Sequence, residues 1–176
     1  MSENEPDSIL VVTPHPDDSE SAAGGTIAKW CAEGKKVVLV VCTNGDKGTS
    51  DRSIKPEDLS ATRELETLNA AKAYGLAGVE FLRLKDQGLE DNDEFREKLV
   101  RQIRIHKPRL LLTIDPYRNY IRHRDHSMTG RVALDAVFPL HAIMEPILSI
   151  LLPASSRTRF RRSGYLDPKS PITMLM

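Results

Sequence analysis

The stretch SILVVTPHPDDSE, residues 8–20, decides the fold because an apolar segment gives way within it to a dense polar one. Residues 8–13 form a short run rich in β-branched side chains, which is typical of a strand buried on both faces. The polar and glycine-containing residues that follow predict an irregular segment, with a helix near 23–34 that ends at Gly34. A strand buried on both faces needs helices on each side of its sheet.

Strand and helix patterns alternate along the chain after this stretch. Further strands are predicted over residues 35–45, 79–84 and 109–115, and further helices over 56–74, 93–106 and part of 122–138. Pro56 suits a first helical turn, and Pro108 ends the third helix. Alternation at these spacings predicts an α/β fold, in which helices cover both faces of a mostly parallel sheet.

Composition limits the classes of protein that this chain can belong to. Its 176 residues suit one domain, and its 25 Lys plus Arg residues balance its 25 Asp plus Glu residues. A net charge of zero gives no reason to expect nucleic acid or an anionic membrane as a partner. Cys31 and Cys42 lie in apolar contexts and are expected to be small core residues, as in a reducing compartment.

The two ends of the sequence carry little patterning. The acidic start lacks the features of a signal peptide, and no apolar run reaches the roughly 18 residues of a membrane span. We therefore predict a cytoplasmic protein without a membrane anchor. Residues 1–152 are assigned to one domain, and residues 153–176, rich in Pro, Ser and Arg, to a poorly ordered tail.

Chemically active side chains concentrate after the first and fourth predicted strands. His15, Asp17 and Asp18 follow the first strand, and the segment HRDH (123–126) follows the fourth. Ligands of open parallel sheets bind beyond the carboxyl ends of the strands, so the two segments meet if these strands are neighbours. Zinc favours His nitrogen and Asp oxygen, and a catalytic zinc keeps three protein ligands and a water molecule. One aspartate can bind the metal while its neighbour accepts a proton from the water, which suits amide hydrolysis.

Each of these motifs has a plainer interpretation when it stands alone. His-x-x-Asp near a strand end is usually a turn or a helix cap, and His-x-x-His on a helix often arises by chance. The two motifs together, each after a strand, favour a metal site. Gly24-Gly25 could form a phosphate loop of a sugar-nucleotide-binding module, but the glycine pattern of such loops is missing, so close backbone packing is expected there instead.

The sequence resembles the LmbE-like (PIG-L) family of zinc-dependent de-N-acetylases. The resemblance rests on TPHPDDSE, AGGTIAKW, VVLVVCTNGDKGT and HRDH, and it covers about residues 8–147. It is especially similar to archaeal members that deacetylate N-acetylglucosamine units of chitin fragments. The resemblance implies a Rossmann-like three-layer α/β/α sandwich and removal of an N-acetyl group from a small amino-sugar substrate.

The resemblance also implies roles for single residues. His15, Asp18 and His126 would bind one Zn²⁺, although another divalent metal could occupy the same ligands. Asp17 would be the general base, His123 the general acid or oxyanion stabiliser, and Asp125 the residue that orients His123. Two arginines would support substrate binding, namely Arg63, which forms an Arg–Glu pair with Glu64, and Arg118.

The sequence departs from the family pattern after Pro146. Family members continue with further strands and a helix, whereas ILSILLPASSRTRFRR follows here. This departure raises the alternative of a truncated, non-catalytic member that binds zinc without turnover. The resemblance further implies a homo-oligomer, and it leaves open which N-acetylated sugar is the substrate.

Overall fold

The computed structural model describes residues 7–117 and 122–137, together with the backbone of residues 173–175. Five strands form one sheet: β1 (Ser8–Thr13), β2 (Lys36–Thr43), β3 (Gly78–Leu84), β4 (Leu110–Leu112) and β5 (Thr173–Leu175). Four α-helices are described: α1 (Asp18–Ala32), α2 (Pro56–Tyr74), α3 (Asp93–His106) and α4 (Arg124–Val137).

The strands run parallel in the order β3-β2-β1-β4-β5. Ile9 of β1 pairs with Val37 of β2 and, on its other side, with Leu110 of β4. The chain therefore leaves β1 in one direction to build β2 and β3, and it returns to the other side of β1 for β4. This order is that of a doubly wound Rossmann-like sheet, in which ligands bind between the first and fourth strands at the carboxyl ends.

Alternate residues of the strands build two separate apolar layers. Leu10 and Val12 point to the face covered by α3 and α4, where they pack in one cluster with Leu99. Ile9 and Val11 point to the opposite face, where they pack with residues of α1 and α2. The α/β/α sandwich expected from the sequence is thus confirmed, since both faces of the central strand are buried.

Several element boundaries differ from the prediction. Helix α1 begins at Asp18 rather than near residue 23, because Asp17 takes a left-handed conformation (φ 83°) that turns the chain directly into the helix. Strand β4 covers Leu110–Leu112, fewer residues than the predicted 109–115. Cys42 is fully buried, and burial raises the pKa of its thiol to about 12, whereas Cys31 is only half-buried.

The end of the chain contains a strand that the sequence pattern did not predict. Thr173–Leu175 pairs in parallel with β4, within the segment expected to be a poorly ordered tail. The rest of that predicted tail, 153–172 and Met176, lies outside the described residues, so the expectation stays a prediction there. None of the described helices has the length and apolar character needed to cross a bilayer.

Candidate metal centre

The loop after β1 is fixed to the neighbouring strands by backbone acceptors. The carbonyl of Pro14 accepts hydrogen bonds from the backbone N–H of Thr43 (2.9 Å) and from its hydroxyl group (3.0 Å). On the other side of β1, the Thr113 hydroxyl donates to the carbonyl of Val12 at 3.1 Å. These bonds tie the end of β1 to both neighbours, so the first residues of the polar segment leave the sheet in a defined direction.

Two histidines and one aspartate converge beyond this edge of the sheet. Oδ2 of Asp18 lies 3.1 Å from Nδ1 of His15 and 3.4 Å from Nε2 of His126. Asp18 also accepts the backbone N–H of His15 at 3.1 Å, which holds the carboxylate beside Nδ1 of the histidine ring. Ligands of a tetrahedral zinc with bonds of roughly 2.0–2.1 Å are separated by about 3.3 Å, so both measured distances suit a shared metal ion.

His123 completes a group of three histidines. Its ring centroid lies 4.8 Å from that of His15 and 4.9 Å from that of His126. One nitrogen from each of the three rings lies within 4.8 Å of the others, which is close enough for one metal ion. His123 is exposed, whereas His15 and His126 are half-buried, so His123 is the ring most accessible from solvent.

The protonation preferences of the histidines follow from their surroundings. Burial lowers the pKa of His126, and the positive charges of nearby histidines lower it further, which favours the neutral ring that a metal requires. Burial acts in the same direction on His15. It is outweighed there by hydrogen bonds with Asp18 and Asp125 and by the charge of Asp86, so the pKa of His15 is raised. The carboxylates around His15 therefore favour positive charge at this residue, either as a protonated ring or as a metal ion bound to it.

The Asp17 side chain contacts α2. Nη2 of Arg63 donates to Oδ2 of Asp17 at 2.8 Å, and Nη1 donates to the carbonyl of Gly45 at 3.3 Å. The Asp17 side chain is 70% exposed. Partial desolvation and the charges of Asp18 and Glu20 nevertheless raise the pKa of Asp17 and outweigh the lowering by Arg63. The adjacent aspartates thus face different partners, as expected from the sequence.

Asp125 contacts a different histidine from the one expected. Its Oδ2 lies 3.1 Å from Nε2 of His15, whereas the described hydrogen bonds of Asp125 include none with His123. Backbone N–H groups of Gln87 and Leu89 also donate to this carboxylate, at 2.7 and 3.1 Å. Asp125 lies in the first turn of α4 and is buried, whereas His123 precedes the helix and is exposed. Asp125 therefore supports His15 in this structure.

The remaining predicted residues have separate outcomes. Arg63 lies at the site, but Glu64 pairs with Arg83 through two hydrogen bonds of 2.8 and 2.9 Å, so the two residues of the expected Arg–Glu pair face different partners. Arg118 lies outside the described residues. Gly24 has the close packing expected of it, since an added Cβ would lie 2.8 Å from the Tyr74 hydroxyl, but Gly25 has nothing within 4 Å.

Sequence reasoning missed Asp86, which follows β3. Its Oδ1 lies 3.3 Å from Nε2 of His15, and its Oδ2 accepts the backbone N–H of Lys47 at 2.9 Å. The one signal available was its position just beyond the carboxyl end of a strand, the same signal that drew attention to His15.

Comparisons with known proteins identify the family of the chain. Residues 10–137 match the PIG-L family, described as GlcNAc-PI de-N-acetylase. The chain is 33% identical over 134 residues to a diacetylchitobiose deacetylase of Thermococcus kodakarensis, covering 76% of this chain and 50% of that protein. The chain therefore belongs to the PIG-L family. It spans about half the length of this relative.

Solved structures of proteins with more than one activity share this fold. An N,N'-diacetylchitobiose deacetylase from Pyrococcus horikoshii superposes with a TM-score of 0.77 at 31% identity, covering 86% of this chain and 58% of that one. A 4-carboxy-2-hydroxymuconate hydratase from Pseudomonas putida gives 0.70 at 25% identity, covering 77% and 57%. Family membership alone thus leaves the reaction to be argued from the site.

Proposed function

We propose that this protein is a metal-dependent hydrolase that removes the N-acetyl group from an N-acetylglucosamine-containing substrate and releases acetate. The observation that carries the proposal is the position of the Asp18 carboxylate between His15 and His126, with the largely exposed Asp17 carboxylate of the next residue held by Arg63. The similarity to deacetylases in sequence and structure supports the same reaction class.

His15, Asp18 and His126 are the residues that would hold the metal. The donor set of two imidazole nitrogens and one carboxylate oxygen suits Zn²⁺, which favours these ligands in catalytic sites. Bound zinc supplies Lewis acidity toward the acetamide carbonyl and lowers the pKa of a water molecule. The three proposed ligands are half-buried and form the inner side of the site. Asp17 and His123 are exposed and form its outer side.

Asp17 and His123 carry the proton transfers of the reaction. The Asp17 carboxylate accepts a proton from the attacking water, and its raised pKa brings it nearer to the value that suits a general base. His123 in its imidazolium form donates a hydrogen bond to the oxyanion and then a proton to the departing nitrogen. The carbon–nitrogen bond breaks, and the products are acetate and a free amine.

Arg63 orients Asp17 in this scheme. Its 2.8 Å contact with Oδ2 leaves Oδ1 of the carboxylate available to the water molecule. The half-buried guanidinium also limits the directions that the exposed Asp17 side chain can take. A substrate-binding role for Arg63 and for Arg118 stays a prediction, as do the homo-oligomer and the cytoplasmic location.

The test is acetate release from diacetylchitobiose and N-acetylglucosamine by zinc-loaded protein. Beside the wild type, Asp17→Asn and a chelator-treated sample are assayed, and the zinc content of all three is measured. We expect zinc-dependent release that falls by at least about a hundredfold in Asp17→Asn while zinc stays bound, since general bases contribute roughly 10²–10⁴-fold.

The same assay separates the alternatives. Stoichiometric zinc without acetate release from either sugar would favour the non-catalytic interpretation. The related hydratase favours a second candidate, addition of water to an unsaturated acid, which needs the same proton acceptor but releases no acetate. Hydration of an unsaturated tricarboxylic acid such as 4-carboxy-2-hydroxymuconate, without acetate release from sugars, would replace the deacetylase proposal by this one.

A further inference from the structure

His15 presents its second ring nitrogen to two buried carboxylates. Nε2 lies 3.1 Å from Oδ2 of Asp125 and 3.3 Å from Oδ1 of Asp86. Both carboxylates are nearly inaccessible, since the Asp86 side chain is 4% exposed and the Asp125 side chain 0%. Buried carboxylates are costly unless hydrogen-bond donors or cations satisfy them, so this arrangement calls for an explanation.

Backbone donors account for most of the acceptor capacity of the two carboxylates. Both oxygens of Asp125 accept a backbone N–H, from Gln87 and Leu89. Oδ2 of Asp86 accepts the backbone N–H of Lys47, while the Lys47 ammonium group donates to the Asp86 carbonyl at 2.9 Å. The oxygen of Asp86 left over is Oδ1, and it faces His15.

The three groups could be taken for a second cation site, because one atom from each lies within 4.8 Å of the others. The hydrogen bonds argue against that assignment. Nε2 of His15 makes a hydrogen bond with Oδ2 of Asp125 at 3.1 Å, and the negatively charged Oδ1 of Asp86 lies beside this bond, 3.3 Å from Nε2. The backbone N–H groups already directed at Asp125 would also point toward a cation placed there. A proton on Nε2 serves the hydrogen bond with Asp125 and lies close to the charge of Asp86 without such a conflict.

We propose that Asp86 is a positioning residue whose negative charge keeps a proton on Nε2 of His15, the proton that Asp125 accepts. The proton on Nε2 leaves the lone pair of the neutral ring on Nδ1, the nitrogen that lies 3.1 Å from Oδ2 of Asp18. Asp86 thereby fixes both the tautomer and the ring orientation that binding through Nδ1 requires. This inference rests on the metal site of the proposed function and adds to it the means by which one ligand is held.

Asp86→Asn removes this function with little change in shape. The aspartate offers one oxygen to His15 and the other to the Lys47 N–H. An asparagine is neutral, so it no longer stabilises the proton on Nε2 by its charge, while its amide oxygen can still accept the Lys47 N–H. Loss of such a carboxylate behind a metal-binding histidine typically weakens metal affinity by 10–100-fold.

The experiment measures the zinc dissociation constant by competition with a chelating dye for the wild type, Asp86→Asn and Asp91→Asn. Asp91 is the matched control because it lies in the same loop but contacts Arg96 (2.6 Å) at the surface. We expect affinity about 10–100-fold weaker in Asp86→Asn and unchanged in Asp91→Asn. Thermal melting of the metal-free proteins establishes that each variant is folded.

A second measurement needs no variant. Long-range ¹H–¹⁵N correlation spectra of the zinc-loaded wild type report which nitrogen of His15 carries the proton, and we expect Nε2. A proton on Nδ1, or equal zinc affinities for wild type and Asp86→Asn, would overturn the positioning role and leave the proposed function intact. Failure of the wild type to bind zinc would overturn both.

Discussion

Arg63 keeps its place beside Asp17 because two glycines leave room for its guanidinium group. An added Cβ at Gly48 would lie 2.6 Å from Nη1 of Arg63, and one at Gly45 would overlap the same atom. Gly45 also takes a left-handed conformation (φ 63°) that most residues avoid. The glycines of the segment after β2 thus serve the contact that orients the proposed base.

Gly48→Ala should disturb this contact and leave the metal ligands in place. The backbone at Gly48 tolerates alanine, so the added methyl group is relieved by movement of the flexible Arg63 side chain away from Asp17. Small misplacements in an active site cost up to about a hundredfold in rate, and we expect kcat to fall by roughly ten- to a hundredfold with unchanged zinc affinity. Steady-state kinetics and metal titration give both values.

Gly25→Ala is the control for this substitution. Gly25 lies inside α1 with nothing within 4 Å of an added Cβ. Alanine should preserve kcat and stabilise the protein by up to about 1 kcal/mol, since glycine is unfavourable in a helix interior. Equal kcat for Gly48→Ala and wild type would argue against the role given to Arg63, whereas loss of function in Gly25→Ala would revive the phosphate-loop interpretation.

At the scale of helices and strands, sequence patterns predict element boundaries best where a proline or a glycine marks the end of the element. Helix α2 begins at Pro56 and ends before Gly75, which is left-handed, as the sequence indicates. The predicted start of α1 was wrong because the polar segment after β1 lacks the periodic apolar residues that would indicate a helix. A single left-handed residue, Asp17, starts that helix at once, and such a conformation cannot be read from residue types alone.

In the candidate site, too, some residues could be predicted from the sequence and others could not. His15 and Asp18 stand out in the sequence because they cluster after a strand, and β1 and β4 are neighbours as the argument required. The partner of Asp125 could not be predicted, since His123 precedes α4 while Asp125 lies in its first turn, and only the packed helix decides which histidine the carboxylate reaches. Asp86 lacks a neighbouring histidine or second aspartate in the sequence, and its role appears only when the loop after β3 folds back over β1.

Helix α3 contributes to the fold through burial of one apolar face, and this makes its stability effect predictable. Leu99 is 0% exposed within the cluster that joins α3 and α4 to the sheet. Leu99→Ala should lower the free energy of unfolding by about 2–5 kcal/mol, because it removes buried carbon atoms and leaves a cavity. Urea unfolding of both proteins gives this value.

Leu65→Ala is the matched control, since Leu65 is 60% exposed on α2. The same substitution there should change the free energy of unfolding by no more than about 0.5 kcal/mol. Comparable losses for the two variants would contradict the assignment of the core to the α3 face.

For the whole molecule, metal binding should couple to folding because the ligands come from separate parts of the chain. His15 and Asp18 belong to the segment around the end of β1, whereas His126 belongs to α4. A ligand that binds only the folded state at a hundred times its dissociation constant stabilises by about 2.7 kcal/mol. Zinc at such a concentration should raise the melting temperature of the wild type.

Two variants test this coupling. Asp18→Asn should lose most of the zinc-induced shift in melting temperature, and Asp17→Asn should retain it because Asp17 contacts Arg63 rather than the histidines. A full shift in Asp18→Asn would remove Asp18 from the proposed ligand set.

The central claim is that one metal ion lies between His15, Asp18 and His126, and anomalous X-ray scattering at the zinc edge tests it most directly. Crystals of the zinc-loaded protein should show an anomalous peak at roughly 2.0–2.2 Å from Nδ1 of His15, the Asp18 carboxylate and Nε2 of His126. A peak located instead between Nε2 of His15 and the carboxylates of Asp86 and Asp125, or no peak near His15, would contradict the account.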